Sequence, residues 1–374
     1  MSELKTVTYS GDKLIEMKEN NAVNDVVLEY LRTKAEEHLT LPLMSVTLQK
    51  LKANKESPHD YASTGIYWWP NPDTPDGIPY VRRDGIRNPE TIEIMTLGKI
   101  AGAAHELALA AFYFGEKKYA VKAEKLLYDW FINEETYMNP HAKFAQGIPG
   151  IVSGRGAGLI DFTGSTDVFD AVALLEYLGL IDPTVAAGVR DWYVKFTDWM
   201  MTSEIGIDED CANDNHGTWY DVQILGAAIF TSRTALIKKI CSTAYDRRLV
   251  WQIEKDGAQP HELSRTKALN YSLYNLRAYS HLINMATNCG YKQYTEPDAT
   301  RGDVIIKTAL DFIYNHAKDI DNLPYQEIAP NSVPKSLHRM LLWADARFPG
   351  EDFDKKAAEF RSDDLPTWEL RPLI

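Results

Sequence analysis

Apolar residues recur along most of the chain at mixed spacings of three and four positions. This period is typical of amphipathic helices, and the strict alternation of a half-buried strand is scarce. Alanine and glycine share the apolar faces with large aromatic residues, as close packing of helix on helix requires. The pattern predicts a mostly α-helical protein with about ten or more helices. The clearest helical segments are residues 91–115, 118–132, 166–181, 183–203, 218–240, 243–256, 272–290, 303–319 and 336–348.

A long segment without helical period, residues 57–90, contains Tyr67, Trp68 and Trp69 among several prolines. Connections longer than about 12–15 residues tend to be functional or disordered, but a disordered linker is poor in aromatic residues. We therefore expect this segment to lie on the body of the protein or on a ligand. Flat aromatic faces can stack on sugar rings, and they can equally attach a loop to the core.

A second segment, residues 144–165, is rich in glycine and carries one basic residue, Arg155. Its GRGAG run does not match a nucleotide-binding fingerprint, because no predicted strand precedes it and the glycine spacing differs.

The polar stretch CANDNHGTWY, residues 211–220, places Asn213, Asn215 and His216 directly ahead of a predicted helix. Asn and Asp side chains bond to nearby backbone, so they favour caps and turns over helix interiors. The stretch is compatible with an N-cap beside a solvated histidine and also with a catalytic corner.

A further predicted helix start, within residues 259–282, groups Arg265, Lys267 and Tyr271. A cation beside a phenol lowers the pKa of the phenol, whereas burial raises it. A tyrosine in this position could exchange protons with a substrate.

Composition narrows the class of function. Forty basic against 53 acidic residues give a formal net charge of −13, which argues against a nucleic-acid partner. No apolar run approaches the ~20 residues of a membrane span, so no membrane partner is expected. The three cysteines are widely separated and no zinc-like cluster accompanies them. We expect no disulfide framework, no bound metal and no cofactor.

Four stretches occur in order over roughly residues 57–280: HDYASTGIYWWPNP with GIPYVRRDG, then GRGAGLIDF, then NHGTWYDVQ, and then QPHELSRTKALNYS. Together they resemble the alginate lyase superfamily of helical-toroid polysaccharide lyases. The resemblance implies an all-α fold, an incomplete (α/α) toroid of paired helices, over a single domain of residues 1–374. It also implies that both long loops lie over the groove, with residues 57–90 as a lid.

The activity implied by the resemblance is β-elimination on 1,4-linked uronic acid polymers, alginate first and glucuronan next. Removing the C5 proton of a uronate requires that the adjacent carboxylate be neutralised. By motif, Asn215 matches the carboxylate neutraliser of the family, His216 its base or base partner, and Tyr271 its catalytic tyrosine. Arg265 matches the arginine of the site.

Stereochemistry decides how the proton transfers can be divided. In β-D-mannuronate and β-D-glucuronate the C5 hydrogen and the C4 oxygen lie on the same side, so one tyrosine can serve as both base and acid. In α-L-guluronate they lie on opposite sides, and a second group is required. His216 is the candidate for that group, since an unperturbed histidine is largely neutral at pH 7.

An anionic polysaccharide is thus the expected partner of a protein that we expect to be a monomer. Basic residues near the loops can attract it despite the acidic balance of the chain. Those residues are Lys52, Lys55, Arg82, Arg83, Arg87, Lys143, Arg155, Arg265, Lys267, Lys335 and Arg339. The residues expected to contact substrate are His59, Tyr67, Trp68, Trp69, Arg155, Asn213, Trp219, Tyr220 and Lys267. The N-terminus shows no signal peptide, which is compatible with a periplasmic or secreted mature chain and with a cytoplasmic protein.

Two other functions remain compatible with the sequence. A glycoside hydrolase of the (α/α)-barrel type would need a pair of carboxylates, for which Asp161, Asp214 and Asp221 are the candidates. A noncatalytic sugar-binding protein would keep the aromatic loops, but it would be expected to have lost the residues of the active site.

Overall fold

The computed structural model describes residues 3–49, 55–91, 96–291 and 300–360. Lys52, and residues 92–95 of the predicted helix 91–115, lie outside the described residues. The described part of the chain is predominantly helical, as the apolar period predicts. None of its helices is both long enough and apolar enough to cross a membrane.

Helices and a few short strands make up the described fold. The helices are α1 Gly11–Glu19, α2 Asp25–Leu39, α3 Thr96–Phe114, α4 Lys117–Phe131, α5 Ser165–Leu178, α6 Pro183–Thr202, α7 Glu204–Asp210, α8 Asn215–Phe230, α9 Thr234–Ala244, α10 Val250–Gln252, α11 Pro260–Leu263, α12 Ala268–Asn288, α13 Thr300–Lys318, α14 Val333–Arg347 and α15 Phe353–Ala358. A π-helical turn, Tyr245–Leu249, joins α9 to α10. The strands are β1 Ala62–Thr64, β2 Trp68–Trp69, β3 Val81–Arg82 and β4 Phe144–Gly147.

The prediction of one continuous helix over residues 218–240 is wrong. Helix α8 ends at Phe230 and α9 begins at Thr234, with Ser232 between them at a φ of 58°. A residue in the left-handed region cannot continue a right-handed helix, and Thr and Ser are weaker helix formers than Ala or Leu. The apolar period continues across the break because both helices pack on the same body.

The long helices are arranged in two rows. Helices α3, α5, α8, α12 and α14 pack side by side in that order and form the inner row. Helices α2, α4, α6, α9 and α13 pack on the outside of this row. Helix α8 shows the consequence of an inner position, because 14 of its 16 residues are buried and a helix surrounded by other helices is apolar on all sides. This arrangement confirms the predicted incomplete (α/α) toroid.

Small residues allow the inner helices to approach one another closely. A Cβ atom at Gly164, just before α5, would lie 3.2 Å from the Cα of Gly98 in α3. A Cβ at Gly226 in α8 would lie 3.0 Å from the ring of Phe169 in α5. These distances explain why glycine recurs within the apolar period of the inner helices.

The N-terminal segment crosses the inner row away from the N-terminal ends of its helices. The hydroxyl of Tyr9 hydrogen-bonds His105 of α3 at 2.9 Å, and the backbone N–H of Val7 donates to Asp170 of α5 at 2.5 Å. Asp170 and His105 are fully buried. Because buried polar groups are costly unless they are paired, these bonds fix the segment across the helices.

The four strands connect the two long loops to each other and order the first of them. Strand β1 pairs in parallel with β4, so the aromatic segment 57–90 joins the glycine-rich segment 144–165. Strands β2 and β3 form an antiparallel hairpin within the aromatic segment, with Trp68 opposite Arg82 and Trp69 opposite Val81. The hairpin holds the aromatic segment in one defined conformation.

Candidate active site

The N-terminal ends of the five inner helices open into one large cavity, with a volume of about 1190 Å³. Gly98 of α3, Thr166 of α5, His216 of α8, Tyr271 of α12 and Ser336 of α14 all line it. The first turn of a helix has unpaired N–H groups and carries the positive end of the helix dipole. Five such ends directed at one space favour an anionic ligand there.

The charged side chains around the cavity act in the same direction. Seven cations line it, namely Arg82, Arg87, Arg155, Arg265, Lys267, Arg277 and Arg339. Five carboxylates line it, namely Asp161, Asp167, Asp208, Glu209 and Asp214. Of these cations only Arg277 was not predicted from the sequence. The other predicted rim cations that the structure describes, Lys55, Arg83, Lys143 and Lys335, are not among the lining residues. Among the described lining residues, and before His216 is considered, seven cations against five carboxylates leave a local surplus of two positive charges on a chain of net charge −13.

His216 stands in the first turn of α8 and is held by a buried glutamate. Asp214 is the N-cap of the helix and accepts the backbone N–H of His216 at 3.0 Å. The Nδ1 atom of His216 lies 2.7 Å from Oε1 of Glu209, which is 3% exposed. Burial acts to lower the pKa of His216, but Glu209, together with the smaller effects of Asp214 and Glu262, outweighs burial and raises that pKa to about 9. The contact with Glu209 therefore favours the imidazolium form of His216, in which Nε2 is the remaining donor.

Asn215 is held by a second buried glutamate, Glu262 of α11. The backbone N–H of Asn215 donates to Oε1 of Glu262 at 2.6 Å, and its side-chain Nδ2 donates to Oε2 at 2.9 Å. Burial, and after it the neighbouring Asp214, raise the pKa of Glu262 to about 7. The adjacent pair Asn215 and His216 is thus fixed by two carboxylates from different helices.

Tyr271, in the first turn of α12, meets the aromatic segment 57–90. Its hydroxyl donates to the hydroxyl of Tyr67 at 2.6 Å, and the guanidinium of Arg265 lies 3.9 Å from the centre of its ring. Burial, and then Tyr67, raise the pKa of Tyr271, while Arg265 acts in the opposite direction. Burial raises the pKa of Tyr271 by more than the cation of Arg265 lowers it, so Tyr271 is a neutral phenol.

Arg265 attaches the aromatic segment to the start of α12. Its Nη2 donates to Oδ1 of Asp84 at 2.7 Å, and Asp84 also accepts the hydroxyl of Thr266 at 3.0 Å. Burial of Asp84 opposes its ionisation, but the bond from Arg265 prevails and lowers its pKa. Asp84 was not singled out from the sequence, because its partner lies 181 residues away.

Six of the nine predicted substrate contacts line the cavity: Tyr67, Trp68, Arg155, Asn213, Trp219 and Lys267. Arg155 is oriented by Gln146, whose backbone oxygen and Oε1 accept from Nε and Nη2 of Arg155 at 3.1 and 2.9 Å. A Cβ at Gly65 would lie 2.5 Å from Trp68 and 3.2 Å from Arg155. Glycine at this position therefore lets Trp68 and Arg155 approach the same face of the loop.

The other three predicted contacts do not line the cavity. Trp69 donates its Nε1–H to the backbone oxygen of Ile86 at 2.9 Å. Tyr220 donates to the backbone oxygen of Met200 at 3.2 Å. His59 hydrogen-bonds the backbone oxygen of residue 137 at 2.6 Å. Each of these side chains stabilises a loop or a helix contact.

The three aspartates considered for hydrolysis are engaged in bonds of the fold. Asp161 accepts from Tyr61, Ser63 and Gln146. Asp221 is 1% exposed and accepts from two arginines, Arg247 and Arg248. Asp214 caps α8 as described above. No two of them form a free pair of the kind that an acid and base hydrolysis needs.

Within the described ranges, no group of three or more His, Cys, Asp or Glu residues is arranged to hold a metal ion. Glu209 and Glu262, which hold His216 and Asn215, were not predicted from the sequence. Both stand close in sequence to predicted residues, Glu209 seven before His216 and Glu262 three before Arg265. That proximity was the available signal, but the burial of these carboxylates follows only from the packing.

The family model described as alginate lyase matches residues 45–322. A solved alginate lyase from Bacteroides ovatus is 34% identical, with a TM-score of 0.91 over 96% of this chain and 97% of that chain. Alginate lyase A1-III from Sphingomonas species A1 is 14% identical, with a TM-score of 0.56 over 86% of this chain and 88% of that chain.

A variant of alginate lyase A1-III complexed with a tetrasaccharide is 14% identical, with a TM-score of 0.63 over 99% of this chain and 97% of that chain. Among curated proteins none matches the chain. At 14% identity the A1-III structures establish the shared fold alone. The family model, and the 34% identity over nearly the whole chain, show that this protein is a polysaccharide lyase and belongs to the alginate lyase family.

Proposed function

We propose that this enzyme cleaves alginate by β-elimination and prefers mannuronate to guluronate. The preference follows from one contact, the bond between Nδ1 of His216 and Glu209 at 2.7 Å. A histidine held as an imidazolium is a poor base, so it does not supply the second base that guluronate requires. Elimination at mannuronate or glucuronate needs only one proton-transferring group on one side of the ring.

Tyr271 is that group. The C5–H bond and the C4–O4 bond break while the double bond between C4 and C5 forms. Tyr271 gives its own proton to O4 and receives the C5 proton, so a neutral phenol is present before and after the reaction. A phenol with a raised pKa is therefore suited to the reaction, and Tyr67 orients its hydroxyl between turnovers.

The charge that develops at C5 and on the adjacent carboxylate is stabilised by the N-terminal end of α8. The imidazolium of His216 presents Nε2–H there, and the amide of Asn215 is next to it. Fixed donors and charges aimed at the developing anion supply the largest single contribution in many enzymes. The surplus of positive charge in the cavity holds the neighbouring uronates of the polymer.

The substrate is identified by assaying polymannuronate, polyguluronate and glucuronan in parallel. Elimination creates a conjugated C4=C5 double bond that absorbs ultraviolet light, and hydrolysis does not. We expect absorbance to rise fastest with polymannuronate, more slowly with glucuronan and slowest with polyguluronate. Reducing ends without absorbance would indicate hydrolysis, and binding without new reducing ends would indicate a sugar-binding protein. A polyguluronate rate equal to the polymannuronate rate would contradict the assignment of His216.

The alginate lyases among the solved relatives support alginate as the polymer, and glucuronan is the second candidate because it has the same relation between C5 and C4 as mannuronate. We also propose that the enzyme is a monomer that acts in the periplasm or outside the cell, where polysaccharides occur. Light scattering of the purified protein tests the first proposal, and fractionation of cells that produce it tests the second.

A further inference from the structure

Glu262 is a buried carboxylate without a cationic partner. It is 1% exposed, and the donors that reach its oxygens are the backbone N–H of Asn215 at 2.6 Å and the side-chain amide of Asn215 at 2.9 Å. Both donors are uncharged. Within the part of the chain that the structure describes, no lysine, arginine or histidine forms an ion pair with it. A buried charge that neutral donors alone compensate is costly.

The charged groups that face Glu262 do not remove this cost. Asp214, at the start of α8, adds a further negative charge. The positive charge of His216 is matched by its partner Glu209, and that of Arg265 is matched by its partner in the aromatic segment. A uronate carboxylate that binds beside Asn215 would therefore place one more negative charge close to a buried carboxylate that has no ion-pair partner among the described residues.

We propose that Glu262 takes up a proton from solvent when a uronate carboxylate binds beside Asn215 and His216, and returns it when the product leaves. The inference builds on the proposed function and names the group that balances the charge of the substrate. The proton moves from a hydronium ion or a buffer acid to one carboxylate oxygen of Glu262, and no bond of the polymer changes in this step. Burial, then Asp214, raise the pKa of Glu262 to about 7, close enough to neutral pH for a ligand to change its protonation.

The same proton changes the donor that Asn215 offers. In the free enzyme Nδ2 of Asn215 is turned to Glu262, and among the described residues none donates to its Oδ1. An amide oxygen is an acceptor and cannot neutralise a carboxylate. Protonated Glu262 is itself a donor. When the side-chain amide of Asn215 rotates by a half-turn, its Oδ1 accepts the hydrogen bond from Glu262 and its Nδ2 turns to the cavity. Asn215 then presents N–H groups to the substrate.

Calorimetry in buffers of different ionisation enthalpy measures the proton uptake directly. The parental protein is the Tyr271→Phe variant, which prevents turnover, and the probe is a mannuronate tetrasaccharide at about pH 8. With a pKa of about 7, Glu262 is roughly nine-tenths ionised at that pH. We expect an uptake close to one proton per oligomer bound, and none when buffer without the oligomer is injected as the blank.

Glu262→Gln in the same background retains the bonds to Asn215, because Gln can accept the backbone N–H through Oε1 and donate to Oδ1 through Nε2. We expect this variant to lose about nine-tenths of the uptake. Glu254→Gln is the matched control, since Glu254 is exposed on the preceding loop and the change of side chain is the same. It should retain the parental uptake.

Binding of the tetrasaccharide without proton uptake overturns the inference, and so does an unchanged uptake in Glu262→Gln. Even where Glu262→Gln does not fold, binding to the parental Tyr271→Phe variant without proton uptake overturns the inference. If no uronate oligomer binds and the wild-type enzyme forms no unsaturated product from any of the three polymers, the proposed function fails together with this inference. That result differs from binding without uptake, which leaves the proposed function in place.

Discussion

Glu209→Gln separates the charge of His216 from its position. Glutamine is close to glutamate in size, and its Oε1 can still accept the Nδ1–H of His216, so only the negative charge is removed. The bond is 2.7 Å long and its acceptor is 3% exposed. The variant therefore tests whether His216 acts as a cation in the reaction or as a base.

The magnitude follows from the pKa of His216. That pKa is raised from 6.5 to about 9, which corresponds to roughly 3 kcal/mol at ~1.4 kcal/mol for each pKa unit. Without the charge of Glu209, burial lowers the pKa while the smaller effects of Asp214 and Glu262 still raise it, so the pKa should return to about its ordinary value. With a pKa near the ordinary 6.5, the imidazolium fraction at about pH 7.5 should fall from about 97% to about 9%, so kcat/KM should fall about tenfold.

The same shift has a consequence for stability. Because the folded pKa of His216 lies above its unfolded value, the imidazolium stabilises the fold fully below about pH 6.5 and loses this effect as the pH rises through about 9. Glu209→Gln should therefore remove a stabilisation that is present at neutral pH. Its activity should recover toward the wild-type value as the pH falls below about 6, where the histidine is charged again.

The assay is kcat/KM on polymannuronate from about pH 5 to pH 10, followed by ultraviolet absorbance of the product, with a parallel NMR titration of His216. Glu204→Gln is the matched control, because Glu204 lies on the same helix α7 and is exposed. An unchanged pH profile in a folded Glu209→Gln enzyme would refute the role of the carboxylate. Higher activity at neutral pH would show that His216 is a base.

Three further predictions, which use four substitutions, test the rest of the site. Tyr271→Phe keeps the ring and removes the transferred proton, so kcat should fall at least ~10²-fold to 10⁴-fold; circular dichroism checks the fold, and near wild-type activity would contradict the assignment. Asp84→Ala leaves Arg265 without its partner and should lower the free energy of unfolding by about 1–3 kcal/mol, with a lower kcat/KM. Thermal denaturation measures the loss of stability, and an unchanged Tm together with unchanged activity would contradict the prediction. Trp68→Ala should raise KM several-fold more than Trp69→Ala, because Trp68 lines the cavity whereas Trp69 bonds within the aromatic segment. Initial rates measure both KM values, and equal effects would contradict the prediction.

The sequence by itself determined the helices and the positions where functional residues would stand. The apolar period identifies the inner helices because each must bury its sides against neighbours. The polar corner ahead of α8 follows from local chemistry, since Asp214 caps the helix and places His216 in its first turn. The break at Ser232 escaped the pattern because both helices keep their apolar faces on the same body.

Which member of an aromatic pair reaches the cavity was decided only by the tertiary structure. Trp68 and Trp69 are neighbours in a strand, so their side chains point to opposite faces of the hairpin and only one can face the cavity. Trp219 and Tyr220 are neighbours on a helix, and again one lines the cavity while the other packs on Met200. Residue type alone cannot distinguish the two positions.

The partners that set the charge of the site were also decided by the tertiary structure. Glu262 reaches Asn215 across 47 residues of chain, and Asp84 reaches Arg265 across 181. Glu209 is close in sequence to His216, but its effect depends on burial, which raises the energy of an unpaired charge and strengthens the attraction between opposite charges. The sequence named most of the residues that line the cavity, while the charges of their titratable groups follow from contacts that exist only in the folded chain.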